Sequence, residues 1–120
     1  KPSARKTPAA DPLFKIAARL LEDDRAEDIR VIPLAGKADY AEHMIVASGL
    51  SQRRVATMAE HLVEKLRAAG RKLVHVEGLA NGRWVLIDAG DLVVHLFHPE
   101  MRAYYDLEKL WEAELPAATA

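Results

Sequence analysis

The chain has 120 residues, with 17 lysines and arginines against 18 aspartates and glutamates, and no cysteine. This length is typical of one domain, and the near-neutral charge argues against a protein that grips nucleic acid mainly through phosphates. Disulfides and thiolate chemistry are excluded, and no apolar run reaches the ~20 residues of a membrane span or forms a signal-peptide core. We therefore expect a cytoplasmic protein with no membrane partner and no direct sequence-specific contact with nucleic acid.

The first part of the chain predicts a disordered arm, a helix and a strand. Residues 1–10 mix proline, alanine and basic residues, without the apolar side chains that ordering requires. Asp11 and Pro12 are typical of a helix start, and the acidic pair Asp23-Asp24 of its end. A strand is expected from Ala26 to Leu34. The helix spaces its apolar residues for one buried face: Leu13, Ile16, Ala17, Leu20 and Leu21.

The middle of the chain predicts a strand, a long helix and a second strand. Met44–Ala47 is nearly all apolar, as a central strand covered on both faces should be. Ser51 is a good cap for the helix that follows, and Gly70 is placed to end it. Because a strand, helix and strand in this order favour a crossover, we expect Leu73–Val76 to pair parallel with Met44–Ala47. The predicted apolar stripe of the helix is Val55, Met58, Ala59, Leu62, Val63 and Leu66.

A hairpin follows, and its pattern decides which side chains share a face. Trp84–Ile87 and Leu92–Phe97 are rich in strand-forming residues, and the Asp- and Gly-rich break Asp88–Asp91 separates them. Pro99 is expected to end the second strand. Period-two alternation puts one set of side chains on a common face of each strand. These sets are Trp84, Leu86 and Asp88, and Asp91, Val93, His95 and Phe97.

These elements predict a single α/β domain over residues 11–114, with a mixed five-stranded sheet flanked by helices. The arm of residues 1–10 precedes it, and residues 115–120 are expected to form a tail.

One alternative is a nucleotide-binding or nucleotidyltransferase-like enzyme. Such an enzyme needs carboxylates that converge on Mg²⁺ beside a Gly-Ser turn. Here the turn has the reversed order Ser48-Gly49, and the helix after it carries Arg53 and Arg54 without an Asp-x-Asp motif. A helix start with arginines can hold a phosphate, but first-turn arginines are more often simply solvated. We therefore predict no catalytic residues.

The hairpin carboxylates raise the alternative of a metal site. Asp91 and His95 point the same way but lie about 13 Å apart along a strand, too far to chelate one ion. Asp88 and Asp91 lie across the turn and His98 is near in sequence, yet aspartates in turns more often accept backbone hydrogen bonds. We expect neither a metal nor a cofactor. His61 and His75 are expected to be isolated histidines.

A binding face on the hairpin is the third possibility. Tryptophan is one of the residue types that dominate binding energy at protein interfaces, which favours Trp84 as a contact. The alternative is that Trp84 and Phe97 fill the core, while Asp91 and His95 are buried and hydrogen-bonded to other residues. From Glu100 to Glu114 the chain carries five acidic and two basic residues among tyrosine, leucine and tryptophan. An acidic and aromatic surface of this kind fits a basic protein partner.

The spacing of these residues resembles the bacterial ribosomal silencing factor family, also called the Iojap-like family. The match runs through Trp84, Asp88, Gly90-Asp91 and His95, and then through Tyr105-x-Leu107-Glu108-x-Leu110-Trp111. The resemblance extends upstream over about residues 26–78, so it covers most of the chain. One departure stands before the second strand, where the family pattern has Asp-Tyr and this chain has Glu42-His43.

The resemblance implies a small mixed α/β fold related in architecture to nucleotidyltransferases but without the catalytic motif. It implies a repressor of translation that is not an enzyme. Members bind the large ribosomal subunit at ribosomal protein L-fourteen and sterically block the small subunit, and they tend to form homodimers when free. The partner-binding residues implied here are Trp84, Asp88, Ala89, Asp91, His95, Tyr105, Leu107, Leu110 and Trp111.

Overall fold

The computed structural model describes residues 12–34 and 41–100 of the chain. Two helices and five strands follow one another along these residues in the order that the sequence predicts. The helices are α1 (Leu13–Asp23) and α2 (Gln52–Ala68). The strands are β1 (Glu27–Pro33), β2 (His43–Ser48), β3 (His75–Glu77), β4 (Trp84–Asp88) and β5 (Leu92–Phe97).

The strands form one mixed five-stranded sheet in the order β1-β2-β5-β4-β3. Strands β2 and β5 are parallel, and the other neighbours are antiparallel. The predicted parallel pairing of the β2 and β3 segments is wrong, because β3 pairs with β4 and the parallel partner of β2 is β5. Burial explains this order: every residue of β5 is buried, as is nearly all of β2, so both occupy the centre. The short and mostly exposed β3 lies at an edge.

Both described helices pack on one face of the sheet. Ala17 and Leu21 of α1 join the buried stripe of α2 against Ile45, Val85 and Val94 in a single core cluster. The opposite face holds a second apolar cluster, to which neither helix contributes. Its buried members are Ile32, Leu34, Ala41, Met44, Val46, Val93 and Phe97, with Trp84 and Leu86 packed against them.

The ends of α2 follow the chemistry that the sequence predicts. The Ser51 hydroxyl accepts the backbone N–H of Arg54 at 3.1 Å, which confirms the predicted cap. Gly70 has a φ of 103° and follows the C-cap, and the N–H of Arg71 donates to the carbonyl of Leu66 at 3.0 Å. This is the Schellman arrangement, in which glycine takes the left-handed conformation without strain.

Two boundaries differ from the prediction. Pro12 stands at the N-cap of α1 rather than at its first helical position, and it has no side-chain cap; Asp11 lies outside the described residues. The strand predicted at Leu73–Val76 begins only at His75. Leu73 is 88% exposed, so its apolar side chain signals no buried strand position.

Candidate partner-binding surface

The six side chains that alternate along β4 and β5 away from the helices form the hairpin face. Trp84 lies opposite Phe97, Leu86 opposite His95, and Asp88 opposite Val93. Directly opposed residues of an antiparallel pair project to the same side, so these pairings confirm the predicted alternation within the two strands. The hairpin face consists of Trp84, Leu86, Asp88, Val93, His95 and Phe97.

Trp84 combines the two roles that the sequence left open. Its side chain is half-buried, and its ring stacks on Phe97 with centroids 5.2 Å apart and planes inclined by 25°. The indole Nε1–H also donates a hydrogen bond of 2.9 Å to Nδ1 of His95. The indole therefore packs with the apolar cluster while its side chain stays partly exposed.

His95 is buried beneath that indole. It is only 8% exposed, and burial lowers its pKa from 6.5 to about 4 because the charged imidazolium would lose its hydration. His95 is therefore neutral at pH 7. A neutral imidazole has one unprotonated nitrogen, as an acceptor for Trp84 requires.

The turn of the hairpin is held by Asp88 and Gly90. Oδ1 of Asp88 accepts the backbone N–H of Gly90 at 2.9 Å, and Gly90 has a φ of 91°. Asp88 is thus an exposed residue whose carboxylate accepts a backbone hydrogen bond in the turn. This is the role that the sequence favours over metal binding. Ala89, between them, is 1% exposed and belongs to the core cluster on the helix side.

Asp91 ties the hairpin to two other parts of the fold. Nη2 of Arg71, just past α2, donates to Oδ1 of Asp91 at 2.9 Å. The main-chain carbonyl of Asp91 accepts the N–H groups of Glu42 and His43, at 2.8 and 3.2 Å. Asp91 therefore has a structural task, in addition to any contact that its half-exposed carboxylate makes.

Comparison with known proteins shows which family this chain belongs to. A family model described as "Ribosomal silencing factor during starvation" matches residues 7–119. This chain belongs to the ribosomal silencing factor family. It is 46% identical over 99 residues to the ribosomal silencing factor of Zymomonas mobilis, a match that covers 82% of this chain and 74% of that one.

Two further proteins are similar to this chain. A crystal structure of a Chromobacterium violaceum protein superposes with a TM-score of 0.80 at 42% identity, and covers 82% of each chain. A mouse protein named "Mitochondrial assembly of ribosomal large subunit protein 1" is 36% identical over 95 residues, which are 77% of this chain and 42% of that one. Similar sequences therefore occur beyond bacteria, and the matched crystal structure shares this fold.

The alternatives of a phosphate site, a metal site and a membrane span can each be compared with the described residues. Nη2 of Arg54 donates to the main-chain carbonyl of Asp24 at 2.8 Å, so this arginine links α2 to the end of α1. Within residues 12–34 and 41–100, no three histidine, aspartate or glutamate side chains are placed to hold a metal ion. Of the described helices, none has the length and apolar composition that crossing a membrane requires.

Two histidine pairs were missed by sequence reasoning. Nδ1 of His61 lies 2.7 Å from Oδ2 of Asp24, and this carboxylate raises the pKa of His61. Nε2 of His75 lies 2.7 Å from Oε2 of Glu77. The second pair has a sequence signal, since residues two apart on a strand share a face. The first pair has none, because 37 positions separate its members.

The remaining predicted site residues cannot be placed on this surface. Tyr105, Leu107, Leu110 and Trp111 lie outside the described residues, as do the arm of residues 1–10 and the tail of residues 115–120.

Proposed function

We propose that this protein represses translation in the cytoplasm by binding the large ribosomal subunit through ribosomal protein L-fourteen. In this proposal the bound protein occupies the place where the small subunit would dock, so the two subunits cannot join. The observation that carries the proposal is the family match over residues 7–119. The name of the mouse relative, which refers to the large ribosomal subunit, supports the same partner.

The contact surface in this proposal is the hairpin face, together with Asp91 and the predicted segment Tyr105–Trp111. Trp84 and Leu86 are half-buried and Asp88 is exposed, so these side chains offer apolar area beside a negative charge. A basic ribosomal protein supplies lysine or arginine to pair with that charge. Ala89 and His95 are buried, and we assign them to support of the surface from beneath.

The proposed mechanism is steric occlusion without turnover, so no catalytic residue, metal or cofactor takes part. The relatives are named as silencing factors, which are regulators rather than enzymes. A direct assay with nucleoside triphosphates and Mg²⁺ tests this part. We expect no hydrolysis or transfer, and turnover that Asp88→Asn abolishes would favour the enzyme alternative.

The free protein is proposed to form a homodimer through the same surface. Two copies that meet on one apolar face form a two-fold interface. Subunit binding and self-association would then compete. Light scattering on the free protein at rising concentration tests this, and a strictly monomeric protein at all concentrations would contradict it.

Two assays test the central proposal. The protein should co-sediment with purified large subunits and not with small subunits, and it should lower the yield of joined ribosomes in a subunit-association assay. Large subunits that lack ribosomal protein L-fourteen should not bind it. Normal binding to such subunits would show that another component holds the protein.

A further inference from the structure

We propose that His95 is the positioning residue of the hairpin face: it fixes the direction of the Trp84 indole, so partner binding depends on His95 without any contact between His95 and the partner. This inference rests on the proposed function, which makes Trp84 a contact of the ribosomal partner. It assigns the two residues different tasks, although both lie on one face.

The hydrogen bond between the two rings fixes the form of the histidine. An indole N–H can only donate, so Nδ1 of His95, at 2.9 Å, must accept. Nδ1 is then unprotonated and Nε2 carries the proton. The bond therefore exists in only one of the two neutral tautomers, and it is lost when the imidazole takes up a second proton.

The acceptor is held in place by its position in the sheet. His95 lies on β5, the central strand, beside Val46 of β2 on one side and Leu86 of β4 on the other. Its ring is nearly parallel to that of Phe97, with planes inclined by 12° and centroids 6.1 Å apart. Because His95 is only 8% exposed and its neighbours are closely packed, its side chain has little freedom to change rotamer.

The hydrogen bond gives the Trp84 indole a directional restraint beside its stacking on Phe97. Stacking depends little on where the polar edge of the indole points, whereas a hydrogen bond from Nε1 is directional. The bond to His95 therefore favours one orientation of the indole about its side-chain torsions. As a result, the edge that carries Nε1 points to His95, and the orientation of the half-buried indole is defined before the partner arrives. Such preorganisation lowers the ordering cost of binding.

Two substitutions of His95 test the effect of its hydrogen-bond acceptor separately from the effect of its side-chain volume. His95→Asn places an amide oxygen close to the position of Nδ1 and keeps an acceptor, whereas His95→Leu has similar volume and no acceptor. In ¹H–¹⁵N spectra of the free protein, the indole N–H signal of Trp84 is assigned by its absence in Trp84→Phe. We expect His95→Leu to shift this signal and speed its exchange with solvent by about tenfold, and His95→Asn to restore slow exchange.

A double-mutant cycle tests whether His95 acts through Trp84. We expect His95→Leu to weaken large-subunit binding about tenfold in the wild-type background, and to cause no further loss in the Trp84→Phe background. Equal losses in both backgrounds would overturn the inference, because His95 would then contribute on its own. Binding of His95→Asn as weak as that of His95→Leu, with both variants folded, would also overturn it.

Failure of the proposed function is distinguishable from failure of this inference. Wild-type protein that does not bind large subunits would contradict the function. The exchange measurement needs no ribosome, so it still decides whether His95 fixes Trp84. Unchanged exchange of the Trp84 indole proton in folded His95→Leu would overturn the inference whatever the ribosome assay shows.

Discussion

The ring of Phe14 on α1 stacks on the ring of His43 at the start of β2, with centroids 4.0 Å apart and planes inclined by 21°. This contact joins the first helix to the sheet at the position where the sequence resemblance predicts a tyrosine. The backbone N–H of His43 also donates to the carbonyl of Asp91. An aromatic ring at this position therefore links α1 to the segment that carries the hairpin.

Substitution of His43 tests whether the ring itself matters. His43→Ala should lower the free energy of unfolding by about 1 kcal/mol, because the stacked pair is lost. His43→Tyr should cost less, since it keeps an aromatic ring that can stack on Phe14. Urea unfolding of the two variants measures the difference. Equal destabilisation by alanine and tyrosine would show that the stack contributes nothing.

Substitution of two glycines by alanine compares the cost of backbone strain alone with the cost of strain plus a steric clash. A Cβ on Gly82 would lie 2.6 Å from the main-chain oxygen of Gln52, whereas one on Gly70 would meet nothing within 4 Å; both residues have positive φ. Gly70→Ala should therefore cost only the strain, about 1–2 kcal/mol. Gly82→Ala adds a clash with backbone and should cost about 2–5 kcal/mol. Thermal or urea unfolding that ranks them equally would contradict this reasoning.

Burial of neutral His95 predicts a loss of stability in mild acid. The pKa of His95 is about 4 when folded and near its usual 6.5 when unfolded. Below pH 6.5 the unfolded chain takes up a proton that the folded chain refuses, so stability falls with pH until about pH 4. The full effect is about 3 kcal/mol at 1.4 kcal/mol per pKa unit. Unfolding free energies between pH 7 and pH 4 measure it.

Folded His95→Asn is the control for that titration, because it cannot take up the proton while all other groups remain. Its stability should fall less steeply between pH 6.5 and pH 4 than that of the wild type. Parallel profiles for the two proteins would show that His95 does not contribute to the acid sensitivity.

Asp88 allows the charge of the hairpin face to be removed with little change in structure. Asp88→Asn removes the negative charge and keeps the oxygen that accepts the Gly90 N–H. The free energy of unfolding should therefore change by less than about 0.5 kcal/mol. Association with large subunits should become slower and less dependent on salt. Glu64→Gln, on the exposed side of α2, is the matched control. An equal effect of both substitutions would indicate net charge rather than this surface.

The strands and helices were predictable where local chemistry decides them. Ser51 and Gly70 mark the ends of α2 through hydrogen bonds to nearby backbone groups, and these depend on residue type and spacing. Alternation along β4 and β5 likewise follows from the pleat. Pairing of strands was less accessible, because the choice of β5 over β3 as the partner of β2 depends on which strands the whole fold buries.

The candidate surface was predictable in outline, and its internal contacts were not. The pattern placed Trp84 and His95 on one face, but Trp84 lies opposite Phe97 and reaches His95 along the diagonal. The pairing of Asp91 with Arg71 joins segments 20 positions apart. Contacts of this kind depend on side-chain rotamers and on loop paths, for which a single sequence carries no periodic signal.

Trp84→Ala provides the central prediction about the partner. Loss of the indole should weaken binding to the large subunit by at least about 2 kcal/mol, roughly thirtyfold, as expected for an interface hot spot. It should also lower stability, because the indole packs on Phe97. Phe14→Ala is the matched control, since Phe14 is also a half-buried aromatic residue but packs with the cluster on the helix side.

The most direct test is the affinity of folded Trp84→Ala and Phe14→Ala for purified large subunits, with the unfolding free energy measured on the same samples. The account predicts that both variants lose stability, that Phe14→Ala binds like the wild type, and that Trp84→Ala binds at least roughly thirtyfold more weakly. Wild-type affinity of Trp84→Ala, under conditions where it is folded, would remove Trp84 from the interface and contradict the account.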